Sequence, residues 1–229
     1  MKLTPLVIQD APNVINPEGK LTLSLRDLGV SDIDSLHLAN GAFAVVDLTN
    51  NMLDEAGLLP TWEALETVLL ANNNISAIGD MKDVALNSLL LALNNLISLK
   101  LLVNLRTLDK IHTLLLLGNP VCKEHHYRQF VIWLLPTLLV LDCEKVKQSE
   151  RRSAIELFGE SFDTATAAAV ALLHGGEEAK PVAKETRMMN TTVSRLSKEE
   201  KEKLVAQLAS AQTMEEMELI QAKLRDGTV

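Results

Sequence analysis

The sequence predicts an α/β solenoid, a stack of short parallel strands each followed by a return segment. Three observations carry that reading. The first is a phrase, L-x-x-L-x-L-x-x-N-x-L with apolar substitutions, that occurs four times. Its copies are Phe43-Val46-Leu48-Asn51-Leu53, Leu65-Val68-Leu70-Asn73-Ile75, Leu86-Leu89-Leu91-Asn94-Leu96 and Ile111-Leu114-Leu116-Asn119-Val121. The second is spacing: Asn51, Asn73, Asn94 and Asn119 lie 22, 21 and 25 residues apart. The third is composition: aromatic residues are only 3% of 229, so leucine must supply the core.

A period of this length with this phrase is the signature of leucine-rich repeats. The L-x-L core of each copy reads as a strand whose period of two sends the leucines inward and the middle residue to the opposite face. The chain is expected to turn at the asparagine. An amide side chain buried at a turn both donates and accepts, so stacked turns form a ladder from Asn51 to Asn119 that satisfies backbone groups left unpaired. The sheet is expected to line the concave face of a right-handed solenoid.

Both ends of the block are imperfect, as terminal repeats are. Leu23, Leu25, Leu28 and Val30 fit the phrase with Leu28 in the asparagine slot. At the other end Leu135, Leu138 and Val140 form a partial copy closing on Leu141-Asp142. Tyr127 to Leu135 is apolar at helical spacing and stops at Pro136, which predicts a cap helix with Phe130 and Trp133 in the core. A second helix is expected to run to about Phe158.

The repeat domain with its caps is placed at residues 1–160. A linker follows over 161–195, with an Ala-rich piece at Ala165 to Leu173 that has helical character. A helical hairpin is placed at 196–227. Ser197-Lys198-Glu199-Glu200 and Thr213-Met214-Glu215-Glu216 are capping boxes, and Leu204, Val205, Leu208, Met217, Ile220 and Leu224 supply its apolar sides.

The net charge of −8 makes the chain a poor stand-alone binder of nucleic acid. Cys122 and Cys143 form no C-x-x-C pair and read as free thiols. No signal peptide is read at the N-terminus, and no apolar run is long enough to span a bilayer. The chain reads as soluble and intracellular. His125 and His126 beside Cys122 match no closed zinc site, so no metal is expected. Phosphate-binding, nucleophile-elbow, dinucleotide and zinc-protease motifs are absent from the sequence, so neither a cofactor nor a catalytic residue is assigned.

Function is therefore expected in a surface. The middle residues of the strands are Ser24, Asp47, Leu69, Leu90, Leu115 and Leu139; two positions on lie Arg26, Thr49, Ala71, Ala92 and Leu117. A single-layer solenoid has nothing of its own to cover such leucines, and an exposed apolar patch marks a protein interface. The competing reading is that the C-terminal segment folds back over them. Lys145, Lys147, Arg151 and Arg152 form the most basic local cluster. Such a cluster is commonly a solvated helix face; the sharper reading is phosphate contact.

The cap reads N-P-V-x-x-x-x-H-Y-R-x-x-V-I-x-x-L-P-x-L-x-x-L-D from Asn119 to Asp142, and continues through Lys145-Val146-Lys147 and Glu150-Arg151 to Leu157-Phe158. With Met1-Lys2-Leu3-Thr4 and five to six short repeats, the chain resembles the A-prime family of the spliceosomal U2 small nuclear ribonucleoprotein. That resemblance implies a nuclear, non-enzymatic adaptor. Its concave face would hold a helix of the RNA-recognition-motif protein B-double-prime, and the pair would bind a U2 small nuclear RNA stem-loop. It also places the basic segment toward the RNA and leaves the C-terminal hairpin for other splicing factors. Two other classes share features: a repeat-built regulatory subunit of a protein phosphatase, and a cytoskeletal or dynein-associated repeat protein that shares the cap.

Overall fold

Leucines at a two-residue period next to a turn produce short strands that cannot bury their apolar side alone, so each strand pairs with the next copy. The computed structural model describes residues 1–174 apart from 40, 58 and 163. The hairpin read at 196–227 and most of the linker lie outside the described residues. In chain order these residues form α1 (Pro5–Asp10), β1 (Asn13–Ile15), β2 (Leu21–Ser24), β3 (Val45–Asp47), β4 (Glu55–Ala56), β5 (Thr67–Leu69), β6 (Ala77–Ile78), β7 (Ser88–Leu90), β8 (Thr113–Leu115), α2 (Tyr127–Leu134), β9 (Val140–Leu141), β10 (Glu144–Lys145), α3 (Gln148–Phe158) and α4 (Ala167–His174). Turns of 3-10 helix at Asp34–Leu38, Leu99–Thr107 and Pro120–Lys123 complete the return side.

The main sheet runs β1-β2-β3-β5-β7-β8-β9-β10. Pairing from β2 to β9 is parallel, and the outermost strands β1 and β10 are antiparallel to their neighbours. Register follows the phrase. Leu23, Val46, Val68, Leu89, Leu114 and Leu141 pair in one row and are all at most 1% exposed. Leu25, Leu48, Leu70, Leu91 and Leu116 form a second buried row. Burying a leucine contributes about 1.5–3 kcal/mol, so the stacked rows carry most of the stability. β4 and β6 pair on the return side. The repeat that closes on Asn119 holds the nine-residue 3-10 segment Leu99–Thr107, with Leu99, Leu102 and Leu105 buried.

The last repeat corrects the sequence reading. Val140 pairs with Thr113 and Leu141 with Leu114. Leu138 therefore stands where Ile111 stands one repeat earlier, and Leu139 precedes the strand instead of occupying its middle. Leucines at 135, 138, 139 and 141 fit two registers three residues apart, and the sequence alone does not separate them. The chain then reverses through Asp142 and Cys143, both with positive φ (52° and 66°), the backbone of a tight two-residue hairpin into β10.

Beyond this turn the cap closes on aromatic contacts. Phe130, Trp133 and Phe158 meet with ring centroids 5.6–5.8 Å apart, and Trp133 donates its indole N–H to Gly159 O at 2.9 Å. Phe162 stacks on Trp133, and Arg106 lies 4.2 Å over the Phe162 ring. α4, inside the stretch read as linker from residue 161, packs against α3 and the Leu99–Thr107 segment. Phe162 and the buried Ala169 supply the apolar surface that holds it there.

Candidate functional site: the concave sheet face

The asparagines build the scaffold of the site. Asn73 Nδ2 donates to Leu48 O and Leu70 O at 3.0 and 3.1 Å, and its Oδ1 accepts from Leu53 N–H at 3.2 Å. Asn51, Asn94 and Asn119 repeat this set, each bridging its own repeat to the preceding one. All four are at most 3% exposed. These bonds fix the ends of β2, β3, β5, β7 and β8, and so fix which residues face outward beside them.

Strand register brings Ser24, Asp47, Leu69, Leu90 and Leu115 into one row across the concave face. Backbone bonds continue past the strands, from Asp27 N–H to Thr49 O, Asn50 to Ala71, Asn72 to Ala92 and Leu93 to Leu117. Arg26, Thr49, Ala71, Ala92 and Leu117 thus form a parallel second row. Leu69, Leu90 and Leu115 are half-buried by each other and by this row, and Leu117 is exposed. Leu139 is exposed at the foot of the sheet and does not join the row. Among the described residues, the helices pack on the return segments and on one another. α4 does not lie over the leucines.

The face is graded in polarity. At the β2–β3 end Arg26 Nη1 reaches Asp47 Oδ2 at 3.2 Å, and Asp47 Oδ1 accepts from Thr49 N–H at 3.0 Å. From β5 to β8 both rows are apolar. A third row, Thr22, Val45, Thr67, Ser88 and Thr113, lies on the same face, with Thr22 and Val45 buried and the other three half-buried. The sequence reading missed it, although a step of two back from each middle residue finds it. Lys20 marks the lower edge, 2.7 Å from Glu66.

The basic cluster divides. Lys145, Lys147 and Arg152 are exposed around β10 and the start of α3. Arg151 is engaged instead within the cap, donating to Pro136 O at 2.8 Å and to Leu138 O. Beside it Arg128 Nε meets Glu150 Oε1 at 2.6 Å and Arg128 Nη1 donates to Leu141 O. The Arg128 guanidinium holds the Glu150 carboxyl below its ordinary pKa. Glu150 Oε2 also accepts from Lys147 N–H at 2.8 Å, which caps α3.

Fold and site together define a leucine-rich-repeat protein with a partly apolar sheet face that no helix among the described residues covers. The leucine-rich-repeat family model matches residues 1–171. The U2 small nuclear ribonucleoprotein A' of Candida albicans is 38% identical over 100% of both chains, and that of Debaryomyces hansenii is 35% identical over 99% of each. The chain belongs to the U2 small nuclear ribonucleoprotein A' family. Among solved structures, the Drosophila melanogaster SNF/U2A' complex contains a chain 33% identical to this one. The match has a TM-score of 0.62 and covers 69% of this chain and 92% of that one.

Proposed function

We propose that this chain is a non-enzymatic adaptor of the splicing machinery, acting in the nucleus. Its concave face binds an RNA-recognition-motif protein of the B-double-prime type, and the heterodimer binds a stem-loop of U2 small nuclear RNA. The observation that carries the reading is the row Leu69–Leu90–Leu115, aligned by strand register and covered by no described helix. Neighbouring strands stand about 4.8 Å apart and a helix rises about 5.4 Å per turn. One helix crossing the strands therefore meets one repeat per turn, and apolar residues at i, i+3 or i+4, and i+7 reach the three leucines in succession. A relative in this family has been solved in complex with SNF, which supports a protein partner. The acidic chain leaves most base recognition to that partner, with Lys145, Lys147 and Arg152 adding phosphate contacts.

Affinity capture of the full chain from nuclear extract, with and without RNase, tests the reading. It expects an RNA-recognition-motif protein in both samples and one small nuclear RNA only in the untreated one. Recovery of a phosphatase catalytic subunit in their place overturns it.

A further inference from the structure

The upper rim of the concave face changes character partway along. In each turn the residue before the ladder asparagine, or its counterpart, sits in the left-handed region: Asp27 (φ 60°), Asn50 (61°), Asn72 (54°), Leu93 (57°) and Gly118 (78°). Aspartate, asparagine and glycine are the residues expected in that conformation. The first three also bond one another, Asn50 Nδ2 to Asp27 Oδ1 and Asn72 Nδ2 to Asn50 Oδ1. Leu93 breaks the series. A branched apolar residue in the left-handed region is strained, and a side chain there that were needed for the core would be buried. Leu93 is 53% exposed.

The local packing supports this side chain at the surface. A Cβ on Gly118 would stand 2.7 Å from Leu93 Cδ2, so glycine at 118 leaves room for Leu93 to lie across the next turn. Leu93 N–H bonds Leu117 O at 2.8 Å, and Leu117 is 46% exposed. Leu93 and Leu117 are thus exposed leucines at the strand ends, one backbone bond apart and next in the chain to the apolar rows of Leu90, Ala92 and Leu115. Strain kept at an exposed position with no core role points to a role outside the core.

We infer that Leu93 and Leu117 form a second anchor for the protein that occupies the concave face, receiving an apolar side chain of that partner at the rim, outside the trough filled by its helix. The inference rests on the concave-face reading proposed above. Leu93 stands where the backbone preference gives asparagine at 50 and 72; there it contributes affinity and selects a partner apolar at this point.

The test is Leu93→Asn in the full chain, beside Leu90→Asp, with recombinant B-double-prime-type protein titrated in by calorimetry without RNA. Leu93→Asn places the residue type of the neighbouring turns in a conformation it favours. Its Tm is expected to be unchanged or raised by about 2 °C, while the Kd weakens about tenfold as a leucine contact is lost. An unchanged Kd overturns the inference, as does a clear fall in Tm, which would make Leu93 structural. Leu90→Asp separates the two claims. If Leu90→Asp abolishes binding and Leu93→Asn is silent, only the rim anchor fails; if Leu90→Asp itself leaves the affinity unchanged, the concave-face reading fails.

Discussion

Tyr127 donates its hydroxyl to Asp142 Oδ2 at 2.7 Å, and this pair ends the parallel sheet. In the preceding repeats a strand-end N–H bonds the carbonyl of the next strand, as Leu91 N–H bonds Leu115 O. At the last strand the chain turns back, and Asp142 Oδ1 takes that role, accepting from Leu116 N–H at 2.7 Å. An acceptor-only carboxylate suits this place, because both groups facing it are donors. Tyr127→Phe leaves one oxygen of Asp142 without its partner, and is expected to cost about 1–3 kcal/mol by urea denaturation.

The same tyrosine predicts a pH dependence. Burial, and then the Asp142 carboxylate, push the Tyr127 phenol far above its ordinary value of 10.0. The unfolded chain ionises near pH 10 and the folded chain does not, so this contribution is present below about pH 10 and is lost as pH rises further. It is the only tyrosine in the sequence, so tyrosinate absorbance reports it directly. The signal is expected to appear with alkaline unfolding; a tyrosinate signal near pH 10 in the folded protein would contradict the buried pair.

The ladder makes a prediction of its own. Asn73→Ala strands Leu53 N–H and leaves the carbonyls of Leu48 and Leu70 with one donor each, Asn51 and Asn94, and is expected to cost about 1–3 kcal/mol in urea denaturation. Asn73→Asp keeps the shape and costs more at neutral pH, because a carboxylate cannot donate to the two carbonyls. Equal stability of all three proteins would remove the ladder from the account.

The sequence made the repeats legible because two signals agree there, a period of two within each strand and an asparagine whose hydrogen bonds require one turn geometry. It made the cap helix legible through Pro136. The last strand was not legible, since leucines at 135, 138, 139 and 141 satisfy two registers and only pairing with β8 decides between them. The site was legible in part. Leu69, Leu90 and Leu115 follow from the phrase, but the engagement of Arg151 with Pro136 and Leu138 depends on a turn whose path no local pattern encodes. Leu93 was hidden for another reason: in the sequence it is one more leucine, and its left-handed backbone appears only in three dimensions.

The division of the basic cluster is testable through salt. Reversing Lys145, Lys147 and Arg152 to glutamate is expected to weaken RNA binding by the heterodimer and flatten the dependence of log K on log salt, by up to about 0.7–0.9 per lost phosphate contact. The protein pair itself should survive. Arg151→Glu is expected to lower the thermal stability of the isolated chain, because two carbonyls at the cap lose their donor. Filter binding across a salt series, with thermal melts of each variant, checks both.

The central claim is that the concave leucines are left for a partner, and Leu90→Asp addresses it most directly. Leu90 sits between Leu69 and Leu115 in the sheet and is half-buried. Measured by calorimetry against the B-double-prime-type protein, with a thermal melt of the same sample, the variant is expected to lose binding while its melting transition stays close to that of the unaltered chain. Unfolding of the variant would make Leu90 a core residue, and undiminished binding by a folded variant would place the partner on another face.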